Sequence, residues 1–176
     1  QRHETATGWD LLVAQRASTA IDFTAPVEIA VLNAPDAVDD ANPFILPDNT
    51  VLYFQTTRNI TFDIYRAPRM GGGTFATPMP AGIATAYDEK TVAVTPDDLT
   101  IFYSSNDPIG SGGMDIYVAT RTSTNDPWGQ PARVTELGTN VDEHVTWVSP
   151  DGCNLYFERH VGVRNFDLFV AKRGIR

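Results

Sequence analysis

The chain has 176 residues, of which 42% are hydrophobic and 20% charged, so it carries enough apolar material for a packed domain and is not of disordered composition. A net charge of −9 argues against a surface that tracks nucleic-acid phosphates and against binding to anionic membranes. The single cysteine, Cys153, excludes an intrachain disulfide, and no apolar run approaches the roughly 18 residues of a membrane-spanning helix.

Read in chain order, the first element is a short apolar phrase, DLLVAQR, from Asp10. It returns as DIYRAPR from Asp63, DIYVATR from Asp115 and DLFVAKR from Asp167, at offsets of 53, 52 and 52 residues. A fixed period of this size marks one supersecondary unit copied in tandem. After the first phrase comes Phe23, three residues before Pro26 and the run VEIAVL. The same aromatic and proline spacing recurs as Phe75–Pro78 before MPAGIA and Trp128–Pro131 before ARVTEL. Proline is tolerated at the first residue of a strand or on a sheet edge, so these runs read as an outermost strand.

An acidic pair follows in each unit: Asp39 and Asp40, Asp88 and Glu89, Asp142 and Glu143. Each pair leads into a short run, Pro43 to Leu46, Thr91 to Thr95 and Val145 to Ser149. The turns PDNT, PDDL and PDGC come next, from Pro47, Pro96 and Pro150, and each opens an aromatic-rich strand (VLYF, TIFY, NLYF). Proline sets φ at the first turn position, and Asp, Asn or Gly suit those that follow, so turn and flanks make a hairpin. One unit is therefore four short strands in about 52 residues without a helix of useful length, which is the pattern of a β-propeller blade. The repeated aromatics are expected to form the core between blades.

The expected fold is all-β: one domain over 1–176 with about three blade equivalents. Named from the inside out, the strands run C, D, then A to D twice, then A, B and C. Residues 1–16 form a leftover third strand of a preceding blade, and the chain opens mid-repeat, which suggests residues before Gln1. Propellers typically carry about 4–8 blades, so three leave apolar faces and strand edges uncovered. The ring is expected to be completed either by a missing part of the chain or by a second copy in a homodimer.

The run WGQPARVTELGTNVDEHVTWVSPDGCNLYF from Trp128, with FDLFVAKR after it and GGMDIYVATR from Gly112, resembles the WD40-like (PD40) repeats of TolB-type bacterial propellers. The resemblance covers Gly8 to Arg173. It implies a bacterial propeller of the periplasm or secreted space. Two departures stand out: the second turn, PDDL, lacks the usual glycine, and the DIY-like strands other than that at Asp115 lack the preceding Gly-Gly.

Chemistry-bearing residues are sparse. Asp39, Asp40, Asp88, Glu89, Asp142, Glu143 and His144 are the candidate ligand- or cation-binding set, because the starts of innermost strands converge on the channel mouth. Converging carboxylates suit calcium, although no EF-hand spacing is present and no cofactor is otherwise expected. His144, beside two carboxylates, and His160 read as weak metal or base candidates against the simpler reading of hydrogen-bonded histidines. Ser149 and Asp151 belong to a turn, and no G-x-S-x-G elbow exists, so no hydrolase triad is read. Cys153 is expected to be a buried structural thiol. The function expected is a non-enzymatic scaffold that binds a protein, peptide or glycan at the channel mouth. The alternative is a glycan-directed hydrolase or lyase using Asp88, Asp142 or Glu143, metal-assisted through His144.

Overall fold

The computed structural model describes residues 8–35, 38–162 and 165–172. Residues 1–7, 36–37, 163–164 and 173–176 lie outside it, and with them the opening of the 1–16 segment and Arg173, which ends the fourth phrase. Among the described residues the fold is all-β, with a single 3₁₀ turn at Gly71–Gly73 and no α-helix. The strands are β1 (Leu12–Val13), β2 (Val27–Glu28), β3 (Asp40–Ile45), β4 (Val51–Asn59), β5 (Thr61–Pro68), β6 (Met79–Pro80), β7 (Glu89–Val94), β8 (Thr100–Ser105), β9 (Asp115–Thr120), β10 (Ala132–Arg133), β11 (Glu143–Val148), β12 (Asn154–Gly162) and β13 (Asn165–Lys172).

They form four sheets, β1-β2, β3-β4-β5-β6, β7-β8-β9-β10 and β11-β12-β13, each a plain antiparallel meander. This is the expected phase: a third and fourth strand, two complete blades, then three strands of another. The innermost strands start at the second acid of each pair, which already pairs with the neighbouring strand, so the pairs enter these strands as expected. The fourth strands are shorter than the apolar runs imply, at two residues each.

The turns between first and second strands are built alike. Asp48, Asp97 and Asp151 accept the N–H of the residue two positions on, at 3.1, 3.1 and 3.0 Å. The next position takes positive φ in all three: Asn49 at 64°, Asp98 at 58° and Gly152 at 67°. The missing glycine in the second turn has a physical reason. Asp98 accepts the Tyr53 O–H from the preceding blade at 2.6 Å and pairs with Arg121 of its own blade. Burial, and then the Asp98 carboxylate, push the Tyr53 hydroxyl pKa well up. Cys153, expected to be buried, is exposed, because it leaves the turn on the solvent side after donating its N–H to Asp151.

The core lies between sheets, not within them. Leu11, just before β1, and Leu32, in the turn after β2, pack on Leu52, Phe54 and Tyr65 of the next sheet. Tyr53 and Ile64 pack on Val92, Ile101, Tyr103 and Tyr117. Ala93 and Ile116 pack on Val145, Leu155 and Phe157. Alternate side chains of the two complete blades thus face the blade before and the blade after, which is why their aromatic strands have no polar face. Each side chain fully buried this way contributes about 1.5–3 kcal/mol.

Candidate functional site

The acidic pairs fall at equivalent places, the first residue just before an innermost strand and the second at its start. The first acid reaches back to the preceding sheet. Trp9 N–H donates to Asp39 Oδ1 at 3.0 Å, Phe62 N–H to Asp88 Oδ1 at 3.1 Å and Met114 N–H to Asp142 Oδ1 at 2.9 Å. Each donor immediately precedes the Asp of a DIY-like phrase. The carboxylate therefore stitches one blade to the third strand of the blade before it. Asp88 also pairs with Lys90 at 3.2 Å.

The second acid is buried and closes its own loop. Asp40 Oδ2 accepts Ala34 N–H at 2.6 Å and Arg58 Nη2–H at 3.1 Å. Glu89 accepts Thr85 N–H at 3.0 Å and the Thr85 hydroxyl. Glu143 accepts Thr139 N–H at 3.3 Å, the Thr139 hydroxyl, and Arg159 Nε–H at 3.0 Å. Of the three, Glu89 has no guanidinium partner and instead feels the charge of Asp63 across the blade boundary. Burial pushes its pKa up, and the hydrogen bonds from Thr85 pull it part of the way back. Among the described residues, no three His, Cys, Asp or Glu side chains come together as a metal-ligand group.

His144 follows Glu143 on β11, opposite Glu158 of β12. Its ring lies 5.6 Å from that of Phe166, on which His160 also stacks at 5.0 Å. Its Nδ1 is buried without a hydrogen-bond partner. Burial lowers its pKa, while the charges of Asp142 and Glu158 oppose that shift.

Sequence reasoning missed the feature that opens a cleft here. Each innermost strand slips register once, between Ala41 and Phe44, Lys90 and Val92, and Val145 and Trp147. Asn42 (φ 50°) and Thr91 (φ 40°) sit at these bulges in the left-handed region, which a β-branched threonine rarely enters. The bulges free backbone groups that the preceding blade collects: Thr91 N–H donates to Gln55 Oε1 at 3.2 Å and Val145 N–H to Ser104 Oγ at 3.0 Å. The signal was periodic, since Thr91 and Val145 stand five residues before a turn proline and Gln55 and Ser104 eight after one. Asn42, Thr91, Thr146 and Phe44 line a shared cleft of about 470 Å³ that His144 and Phe166 close at one side. A second, apolar cavity of about 550 Å³ lies at the other end of the chain, between Leu12, Ile29, Ile45, Leu52 and Phe75.

No protein-family model and no curated protein matches the chain. Solved structures do. TolB from Acinetobacter baumannii superposes with a TM-score of 0.55 at 17% identity, over 85% of this chain and 33% of that one. A structure from a study of two prolyl endopeptidases superposes with a TM-score of 0.50 at 16% identity, over 81% of this chain and 22% of that one. The chain therefore spans about a third or less of the length of these neighbours. Together with the sheet order, the likeness shows that the chain has the fold of part of a β-propeller.

Proposed function

We propose that the chain is a non-enzymatic binding scaffold of the bacterial envelope or secreted space, taking an extended protein, peptide or glycan segment along the cleft between its innermost strands. The observation that carries this reading is the bulge repeated in β3, β7 and β11. Three strands break their ladders at the same level, and two non-glycine residues hold positive φ where the strands line one cleft. Strain of this kind costs about 1–3 kcal/mol per residue, and its clustering at a cleft is the usual mark of a site that binds something. The acidic residues support binding over catalysis, since Asp88, Asp142 and Glu143 each hold a loop or a neighbouring strand. In this reading the six pair carboxylates shape the rim of the mouth, and calcium there is a candidate second ligand.

Panning a random peptide library and a glycan array on the immobilised chain tests the reading. The expected result is enrichment of one ligand class whose binding falls at least tenfold in Thr91→Ala and Thr146→Ala. Equal binding by both variants, or hydrolysis of a bound glycan by the wild-type chain, defeats it.

A further inference from the structure

The three bulges are joined by one chain of hydrogen bonds. Its hubs are Gln55 and Ser104, each the eighth residue after a turn proline and both buried, at 7% and 0% exposure. Each hub accepts twice. Gln55 Oε1 takes Asn42 Nδ2–H of its own blade at 2.9 Å and Thr91 N–H of the next blade at 3.2 Å. Ser104 Oγ takes the Thr91 hydroxyl of its own blade at 3.0 Å and Val145 N–H of the next at 3.0 Å. Asn42, Thr91 and Val145 are equivalent bulge residues, each five before a turn proline. The chain runs from β3 through β7 to β11 and stops there, because Val145 has no polar side chain to carry it on.

Backbone amides fix the polarity of this chain. Thr91 N–H can only donate, so Gln55 must turn its oxygen toward it. Asn42 reaches the same oxygen and must therefore present its nitrogen, which leaves Asn42 Oδ1 without a partner among the described residues. Val145 N–H fixes Ser104 Oγ as an acceptor in the same way. The Thr91 hydroxyl hydrogen goes to Ser104, and the lone pairs of Thr91 Oγ1 remain. Asn42 and Thr91 both line the 470 Å³ cleft, so its wall carries two oriented hydrogen-bond acceptors. Around them the lining is apolar, from Pro43, Phe44, Val92 and Val145. Glu158, the one charged residue among those that line the cleft, is a carboxylate.

A wall of this kind suits a group that brings donors alone at the end of an apolar stem. A guanidinium does so, since it has no acceptor and rides on methylenes. A carboxylate would set acceptors against acceptors. A sugar hydroxyl would bring, with its donor, an acceptor that the wall leaves unpaired. The net charge of −9 also favours the approach of a cation. We propose that the cleft takes an arginine side chain of an extended peptide. Asn42 Oδ1 and Thr91 Oγ1 are the specificity-determining acceptors, and Gln55 and Ser104 are positioning residues that orient them. The proposal rests on the reading of the cleft as a binding site and names the ligand class it takes.

Two blocked tripeptides, acetyl-Gly-Arg-Gly-amide and acetyl-Gly-Glu-Gly-amide, titrated into the isotope-labelled full chain test it by nuclear magnetic resonance. The arginine peptide is expected to bind about tenfold more tightly, and to shift the Asn42 side-chain amide and the Thr91 amide. Gln55→Leu removes the shared acceptor at a residue that does not line the cleft. It is expected to lose about tenfold in affinity for the arginine peptide and to open Thr91 N–H to hydrogen exchange, with an unchanged circular dichroism spectrum. Gln55→Glu keeps an oxygen for both donors and is expected to stay within about threefold of the wild type, a rescue that a merely structural role would not require. Ser104→Ala gives a second reading of the same kind at Val145 N–H, should Gln55→Leu fail to fold. Wild-type affinity in Gln55→Leu with Thr91 N–H open overturns the positioning role. Equal or tighter binding of the glutamate peptide overturns the acceptor assignment and leaves the scaffold reading standing. Binding of neither peptide at millimolar concentration overturns the proposal too, and the scaffold reading then stands or falls on the library and glycan-array panning.

Discussion

Glu89 and Glu143 occupy the same place in successive blades, yet only Glu143 faces a guanidinium, that of Arg159 at 3.0 Å. Glu89 is buried beside Asp63 with hydroxyl and amide donors alone. Its pKa in the folded chain is raised above the ordinary 4.5, first by burial. The folded state therefore binds that proton more tightly than the unfolded state, and stability falls as pH rises from the ordinary value through the raised one. Glu89→Gln keeps an acceptor for Thr85 and removes the charge. It is expected to raise the urea midpoint at pH 8 and to leave the midpoint at pH 4 nearly unchanged. Glu143→Gln is expected to do the opposite at pH 8, because it strands the largely buried Arg159, at a cost of about 1–3 kcal/mol. Denaturant titrations of both variants at the two pH values check the contrast. None of this was legible in the sequence, where the two glutamates look alike. The difference comes from the partner strand, which carries Ser105 in one blade and Arg159 in the other at the matching register.

At the scale of elements, the fourth strands show what sequence pattern resolves and what it does not. The prolines and aromatics located them, but the apolar runs suggested six residues where two pair. In the two complete blades two suffice because the aromatic before the proline, Phe75 or Trp128, is buried and acts as the anchor, whereas Phe23 of the first sheet is exposed. Trp128 is buried under the Arg121 guanidinium, 4.1 Å from its ring, and packs into the cluster between the two full blades. Arg133 on β10 then ties back to Asp115 at 3.0 Å. The apolar residues beyond the pair serve the next loop and the next interface, as Val134 and Leu137 do against the following blade, so apolar character there does not mean strand. Trp128→Ala is expected to cost about 3–5 kcal/mol and to release β10 before any other strand. Hydrogen exchange checks this: Tyr117 and Val118, which β10 covers, should lose protection first, while β7 and β8 keep theirs.

At the scale of the molecule, the order of sheets was readable because the period is covalent, whereas the cleft was not, because it depends on where three strands slip by one residue. Asn42 and Thr91 carry no local signature of a bulge, and the slip pays only once the preceding blade offers Gln55 or Ser104 to the freed amide. The same nearest-neighbour logic governs stability, since each blade is held mainly by the faces on either side of it. A truncation at one repeat position then reports how well that face is covered. Ile116→Ala empties an internal interface and is expected to cost about 2–5 kcal/mol at any protein concentration. Leu168→Ala removes the same kind of side chain from a site that is 68% exposed. It is expected to cost less than about 0.5 kcal/mol. Thermal melts of both variants check the difference. Equal penalties for the two would overturn the reading that burial at this repeat position sets the cost of truncation.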